Sequence, residues 1–399
     1  MLGSERLKGK GHLDQTVEET LRFEGGFVVV WRGICIGYRT NLVVIENSLV
    51  MAERYIHNGR IGNFIIRYPK ITNSNIRSQL IFPKSMPFPC HNNTSFGTGR
   101  SVERPTSVHR LRPGDIDVIG ALGDSLIAGN GAMEEWALGT MIEYRGVSWC
   151  AAADADALRQ AKILVNKMKK NKNININKDW KMITLFFGAN DICSAQCYDK
   201  EKASARSHIR KLMRALDYLE KNLPRTFVNL IPVLDVSVSI RIKRTMMCRL
   251  LHGLFCGCFH RGGNEMEIIT RLTKEYQKAE EELVMSGRYD KKEDFTVVLQ
   301  PFMKLFNAPI DPAHRYNEVI DISYITHDCF HFSQKGHALG ANLLWNNLLQ
   351  PVGRKSKRKL NYIMENFECP KLNSPYLFTN KNSKTFLATG RQWSWQANL

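Results

Sequence analysis

The chain lacks any long apolar run. None of its 399 residues sits in a stretch approaching the ~18 apolar residues of a membrane-crossing helix, so no helical span is expected. It has no internal repeat, which removes solenoid and propeller architectures. It has no paired Cys-x-x-Cys knuckle, the spacing that marks many structural zinc sites. It is short of acid: 38 Asp and Glu stand against 56 Lys and Arg, a formal charge of +18. That balance favours acidic surfaces, whether anionic lipid headgroups or nucleic acid. The densest basic run, Lys167 to Lys181, holds a single aromatic residue, Trp180. Nucleic-acid binding wants aromatics interleaved along a basic face, so no nucleic-acid partner is expected. The run reads as a solvated helix end and loop. Residues 1–16 are polar and lack the charged-then-apolar order of a secretion signal, and no hydrophobic anchor is seen at the other end.

Against these absences stand ten cysteines, many for a cytosolic enzyme of this size. Cys248, His252, Cys256, Cys258 and His260 form a cluster that imitates a zinc site. Without knuckle spacing, disulfides in an oxidising compartment are the better account. Asn92-Asn93-Thr94-Ser95 offers two overlapping glycosylation acceptors, which agrees with secretion, while the polar N-terminus does not. Hydrophobic content of 43% and charged content of 24% are those of a globular protein, with chain enough for one large domain plus extensions.

Three short segments carry chemistry. They are Gly123-Asp124-Ser125-Leu126, Gly188-Ala189-Asn190-Asp191 and Asp328-Cys329-Phe330-His331. A serine hydroxyl is a poor nucleophile unless a base lies within hydrogen-bond reach and a third group orients that base. Asp328 and His331 are three residues apart, so one turn places both on one side. Ile116 to Leu122 reads as a buried parallel strand, and Gly123 permits a sharp turn that delivers Ser125 at its carboxyl end. Met182 to Phe187 is a second such strand, and it delivers Asn190 to the same edge, where open α/β sheets bind ligands. There the Asn190 amide is placed to donate to an oxyanion. Position 127 is Ile, so this is not the Gly-x-Ser-x-Gly elbow of α/β-hydrolases. His337 competes with His331 as base, but it sits within a helix and has no aspartate three residues before it. Asp124 and Asp191 read as loop-fixing residues, and Asp154 and Asp156 as helix-start residues.

In order and wording these segments resemble the GDSL, or SGNH, family of serine esterases. Ala121 to Ala132, Tyr144 to Trp149, Asp179 to Cys193, Asp328 to Gly353, Cys369-Pro370 and Ser374 to Leu377 are similar to its membrane-associated phospholipase B branch. The resemblance runs from about Pro105 to Ser383. It implies a three-layer α/β/α, flavodoxin-like fold with a mostly parallel sheet. It also implies hydrolysis of acyl esters in phospholipids and lysophospholipids through a Ser-His-Asp acyl-enzyme. By the same resemblance Ser125 is the nucleophile, His331 the base and Asp328 its partner, while Asn190 and the Ser125 N–H serve the oxyanion. No metal or organic cofactor is needed. Peripheral contact with an anionic membrane surface is the partner interaction implied, with no obligate protein partner.

The family carries a further block between the serine and asparagine blocks, ending a second strand with an oxyanion glycine. Here Tyr144 to Trp149 runs almost directly into Ala151 to Gln160. Two readings stay open. Val147 to Ala152 forms a shortened second strand, with the Ala153 N–H replacing the glycine's, or the chain is a deletion or mis-spliced form that folds poorly. The alternative functions are accordingly a lipid-binding relative with weakened catalysis and a small-ester esterase of the same fold.

Along the chain, residues 1–104 form an extension of unassigned structure, with candidate strands at 43–51 and 64–68 and a linker at 83–104. Residues 105–353 form the hydrolase domain, and 354–399 a basic, irregular tail. Within the domain Leu158, Ala161, Val165 and Met168 repeat at helical spacing, as do Ile269, Leu272, Tyr276, Ala279 and Leu283. A helix is expected near 203–223, ended by Pro224. Strands are expected at 227–234 and 295–299, and a closing helix capped by Ser333.

Overall fold

The computed structural model describes residues 33–34, 90, 99–132, 156–237, 246, 248, 250, 258, 265–304 and 321–389. Its centre is β2 (Ile116–Gly123), in which all eight residues are buried. Continuous burial needs cover on both faces, and the strand's apolar run supplies it. Strands β3 (Trp180–Phe186), β4 (Thr226–Leu230) and β5 (Phe295–Leu299) follow side by side, all parallel. A two-residue strand, β1 (Gly33–Ile34), lies parallel along the outer edge of β2, with Gly33 opposite Ile119. The edge neighbour of β2 therefore precedes it in the chain. Val147 to Ala152, the candidate shortened strand, lies outside the described residues.

Alternation along the strands sorts the core into two layers. Val118, Leu122, Ile183, Leu185, Val228 and Val297 pack with helices α2 (Ala157–Lys170) and α4 (Ala205–Asn222). Ile119, Ala121, Met182, Phe227 and Val298 share the opposite layer with helix α6 (Gln334–Leu348). Helix α5 (Glu265–Met285) contributes Ile269 and Tyr276 to this second layer and Leu283 to the first. Two short helices, α1 (Ser125–Ala128) and α3 (Ala189–Cys193), follow β2 and β3. This is the α/β architecture expected from the sequence. Among the described residues no helix is long and apolar enough to cross a membrane.

Local signals set most boundaries. Ser204 caps α4 by accepting the Ser207 N–H, which starts that helix at Ala205, and it ends at Asn222, before Pro224. β4 stops at Leu230, ahead of the expected 234, because Pro232 cannot donate to the ladder. Ser333 caps α6, as expected, by accepting the Gly336 N–H. Gly287 closes α5 at φ +70°.

Two readings of the flanks change. Part of the expected linker is fastened to the domain. Arg100 and Arg104 both donate to Asp117 at the start of β2, at 2.8 and 2.9 Å, and the Trp180 N–H of β3 donates to the same carboxylate. The tail is not irregular throughout, since Asn380–Thr389 form helix α7. The approach to α7 and its first turn dock on the domain through Leu377 N–H to Leu111 O and Asn382 Nδ2 to His109 O. Cys90–Cys369 joins the two flanks covalently.

The tail also supplies a buried cation to the α6 C-terminus. Lys355 Nζ donates to the carbonyls of Asn347 and Gln350, groups that a helix end leaves without partners. Burial pulls its pKa down to about 7, with the Glu368 charge opposing. The folded pKa is thus below the unfolded value of roughly 10.4. Between those values the unfolded chain binds the extra proton, so stability rises with pH across the window. Lys355→Met is expected to flatten the rise in melting temperature between pH 7 and pH 9. An unchanged slope would contradict this account.

Candidate active site

The site forms where β2 and β3 end. Gly123, the last residue of β2, is held by both amide atoms of Gln160. Gln160 Oε1 accepts the Gly123 N–H at 3.0 Å, and its Nε2 donates to the Gly123 carbonyl at 2.9 Å. Asp124 caps α1, accepting the Leu126 N–H at 3.1 Å, and the Ala189 N–H of the second turn lies near enough to favour its charged form. Burial pushes the Asp124 carboxyl up to about 6, against the pull of those two N–H groups and of His331. Ser125 opens α1, one residue beyond this clamp.

His331 arrives from the other end of the domain. Residues 325–332 form a tight loop closed by an antiparallel bridge between Ile325 and Phe332 and by the Thr326 N–H donating to the His331 carbonyl at 2.8 Å. Inside the loop Asp328 Oδ1 accepts the Thr326 hydroxyl at 2.5 Å and the N–H groups of Phe330 and His331 at 2.9 and 3.0 Å. Its Oδ2 lies 2.5 Å from His331 Nδ1, and His331 Nε2 lies 2.8 Å from Ser125 Oγ. Burial alone would raise the Asp328 pKa. The His331 charge and hydrogen bonds and the Thr326 hydroxyl outweigh it and hold the carboxyl well below the usual range. An ionised Asp328 accepts only, so Nδ1 must donate to it and Nε2 is left to accept from Ser125.

Cys329 stands between Asp328 and His331 with φ +57°, a conformation non-glycine residues rarely adopt. Its side chain is tied to Cys248. Cys197–Cys258 follows the asparagine turn, and Cys193 at the end of α3 is disulfide-bonded as well. Two members of the imitation zinc cluster, Cys248 and Cys258, are thus consumed in disulfides, while His252, Cys256 and His260 lie outside the described residues. Among the described residues no group of three His, Cys, Asp or Glu side chains is placed to hold a metal.

Asn190 lies in the first turn of α3, whose cap, Gly188, has φ +118°. It is exposed at the carboxyl edge of the sheet, and its amide makes no hydrogen bond among the described residues. The parallel pairing of Gly123 with Phe186 brings this turn beside the one that carries Ser125. Ala153, the other suggested oxyanion donor, and Asp154 lie outside the described residues.

Other readings meet a mixed outcome. His337 is buried, neither ring nitrogen has a hydrogen-bond partner among the described residues, and burial pulls its pKa down to about 3. It packs edge-on against Phe332, as a structural residue does. Asp191 pairs with Lys211 at 3.4 Å instead of holding a loop. Asp156 occupies the cap position of α2, but its side chain makes no capping bond. Gln160 and Thr326 escaped the sequence reading. Gln160 had a signal: it is the polar member of the otherwise apolar buried face Ala157, Ala161, Leu164, Val165 and Met168.

The GDSL-like lipase/acylhydrolase family model matches residues 119–344, more than half of the chain. The chain belongs to that family. Membrane-associated phospholipase B1 from Homo sapiens is 37% identical over 334 residues, covering 70% of this chain and 22% of the relative. The Mus musculus protein of the same name is 37% identical over 333 residues with the same coverage, and that from Rattus norvegicus 36% over 333, covering 23% of the relative. This GDSL chain therefore spans about a fifth of the length of the curated relatives it matches.

Proposed function

We propose that the chain is a serine carboxylic-ester hydrolase that cleaves acyl ester bonds of phospholipids and lysophospholipids. The observation that carries the reading is the relay from Asp328 through His331 to Ser125 Oγ. Ser125 Oγ attacks the ester carbonyl carbon while His331 Nε2 takes the hydroxyl proton. Asn190 Nδ2 and the Ser125 N–H receive the negative charge on the carbonyl oxygen; one such donor is typically worth roughly 100- to 1,000-fold in rate. The intermediate collapses, the glycerol oxygen leaves with the proton from His331, and the acyl group stays on Ser125. Water, deprotonated by the same imidazole, then releases the fatty acid.

Phospholipid as substrate rests on the similarity to relatives named phospholipase B1. The formal charge of +18 suits peripheral contact with an anionic membrane surface. Three disulfides among the described residues suit an oxidising, extracellular-facing compartment.

The test is fatty-acid release from phosphatidylcholine and lysophosphatidylcholine by the purified chain, beside Ser125→Ala and beside a short-chain ester. Release from both lipids, lost in Ser125→Ala, is expected. Turnover of the short ester alone would assign a small-ester esterase. A folded chain that neither hydrolyses nor reacts with a covalent serine probe would be a lipid binder at most.

A further inference from the structure

Behind the asparagine turn lies a group of buried polar and aromatic side chains that the hydrolytic steps do not use. Tyr276 of α5 and His208 of α4 stack face to face, ring centroids 4.2 Å apart and planes within 17°. Each ring is fixed at its far end. Tyr276 Oη donates to the Ala203 carbonyl at 2.7 Å, and His208 Nε2 lies 2.8 Å from Glu280 Oε1. Glu280 is itself anchored, because its Oε2 accepts the Val233 N–H just past the end of β4. A carboxyl group with no exposure is costly to leave without hydrogen-bond partners. Here both oxygens have partners, which makes the group rigid.

The stack faces Gly188. A Cβ at that glycine would lie 3.1 Å from Tyr276 Cδ2 and 3.3 Å from His208 Cε1, so the two rings lie directly beneath the turn. The φ of +118° at Gly188 aims the next two residues, Ala189 and Asn190, toward the sheet edge. On the opposite side the Ala189 N–H favours the charged form of Asp124. The Gly188-Ala189 peptide therefore lies between the nucleophile turn and an aromatic floor, and Asn190 is the next residue.

We infer that His208, Tyr276 and Glu280 are positioning residues for the Asn190 amide, setting where it stands when charge develops on the ester oxygen. This rests on the reading of Asn190 as an oxyanion donor. A donor aimed at the transition-state oxygen contributes only if it is in place before the reaction, so loosening its floor lowers kcat while leaving ground-state binding nearly intact.

The experiment is a double-mutant cycle on the full chain, with enzyme concentration set by titration of reactive serine. Asn190→Ala, His208→Gln, Tyr276→Leu and Tyr276→Phe are assayed on one soluble ester. His208→Gln and Tyr276→Leu are expected to lower kcat about tenfold or more, with KM within about twofold. Tyr276→Phe, which keeps the ring, is expected to restore most of what Tyr276→Leu loses. In the Asn190→Ala background His208→Gln is expected to cost almost nothing further, because its effect passes through that amide. A His208→Gln loss that is undiminished in that background would overturn the positioning role while leaving Asn190 as the donor. An Asn190→Ala variant as active as the parent would instead remove the donor assignment on which both stand. Should Tyr276→Leu fail to fold, the His208→Gln arm decides alone.

Discussion

Replacing Asp328 by asparagine is expected to lower kcat by roughly 10,000-fold while leaving the fold intact. The magnitude follows from how the carboxylate is held. Oδ1 accepts the Thr326 hydroxyl and two backbone N–H groups, so an asparagine must place its oxygen there. Its NH2 then occupies the Oδ2 position, 2.5 Å from His331 Nδ1. Two donors cannot face each other, so Nδ1 gives up its proton and Nε2 acquires one. An Nε2 that carries a proton cannot take the Ser125 proton, and the 2.8 Å contact becomes a donation to the serine oxygen. Asp328→Ala, which leaves the imidazole free to choose its tautomer, should be no more damaging than asparagine. The check is kcat at neutral pH with the folded fraction measured separately. A loss under tenfold for Asp328→Asn would remove Asp328 from the relay.

Gly123→Ala is expected to destabilise the chain by about 3 kcal/mol, at the upper end of overpacking costs. A Cβ there would stand 2.3 Å from the Phe186 carbonyl oxygen and 2.8 Å from Ile127 Cδ1. The first of these is backbone in the neighbouring strand. It cannot withdraw without opening the β2–β3 ladder, in which Gly123 pairs with Phe186. Gln160, which grips both polar groups of Gly123, resists any shift of that residue in the other direction. The strain therefore falls on the two-residue step to Ser125, so activity of the folded fraction should fall as well. Urea unfolding measures the first effect and serine titration the second. A loss below about 1 kcal/mol would mean that the sheet edge yields more easily than this packing allows.

Much of the site was readable because its parts are local. The apolar run 116–122 announced a buried strand, and the glycine after it announced a turn. Together they placed Ser125 at a strand's carboxyl end. Ser333 marks a helix start through one side-chain bond to a nearby N–H, which short-range rules capture. The spacing of Asp328 and His331 allowed a hydrogen bond within one turn, and the loop makes it. Asp156 stands at the start of α2, as expected, but its side chain makes no capping bond. Where a role went elsewhere, the deciding partner was distant. Asp191 was assigned to its own loop and instead pairs with Lys211, a residue of α4.

The sequence by itself determined the family and the α/β alternation and marked out the candidate reactive groups, since periodicity, capping and motif wording all act over a few residues. Tertiary structure alone decided which groups meet. Ser125 and His331 are 206 positions apart, and only the packing of α6 and the loop before it on the sheet brings Oγ to Nε2. The same holds for Cys90 with Cys369 and for Cys248 with Cys329, separated by 279 and 81 positions. It holds also for the stack of His208 on Tyr276 beneath Gly188. Residue type limits what each of these side chains is able to do. Burial on a sheet of fixed register selects the one partner each can reach.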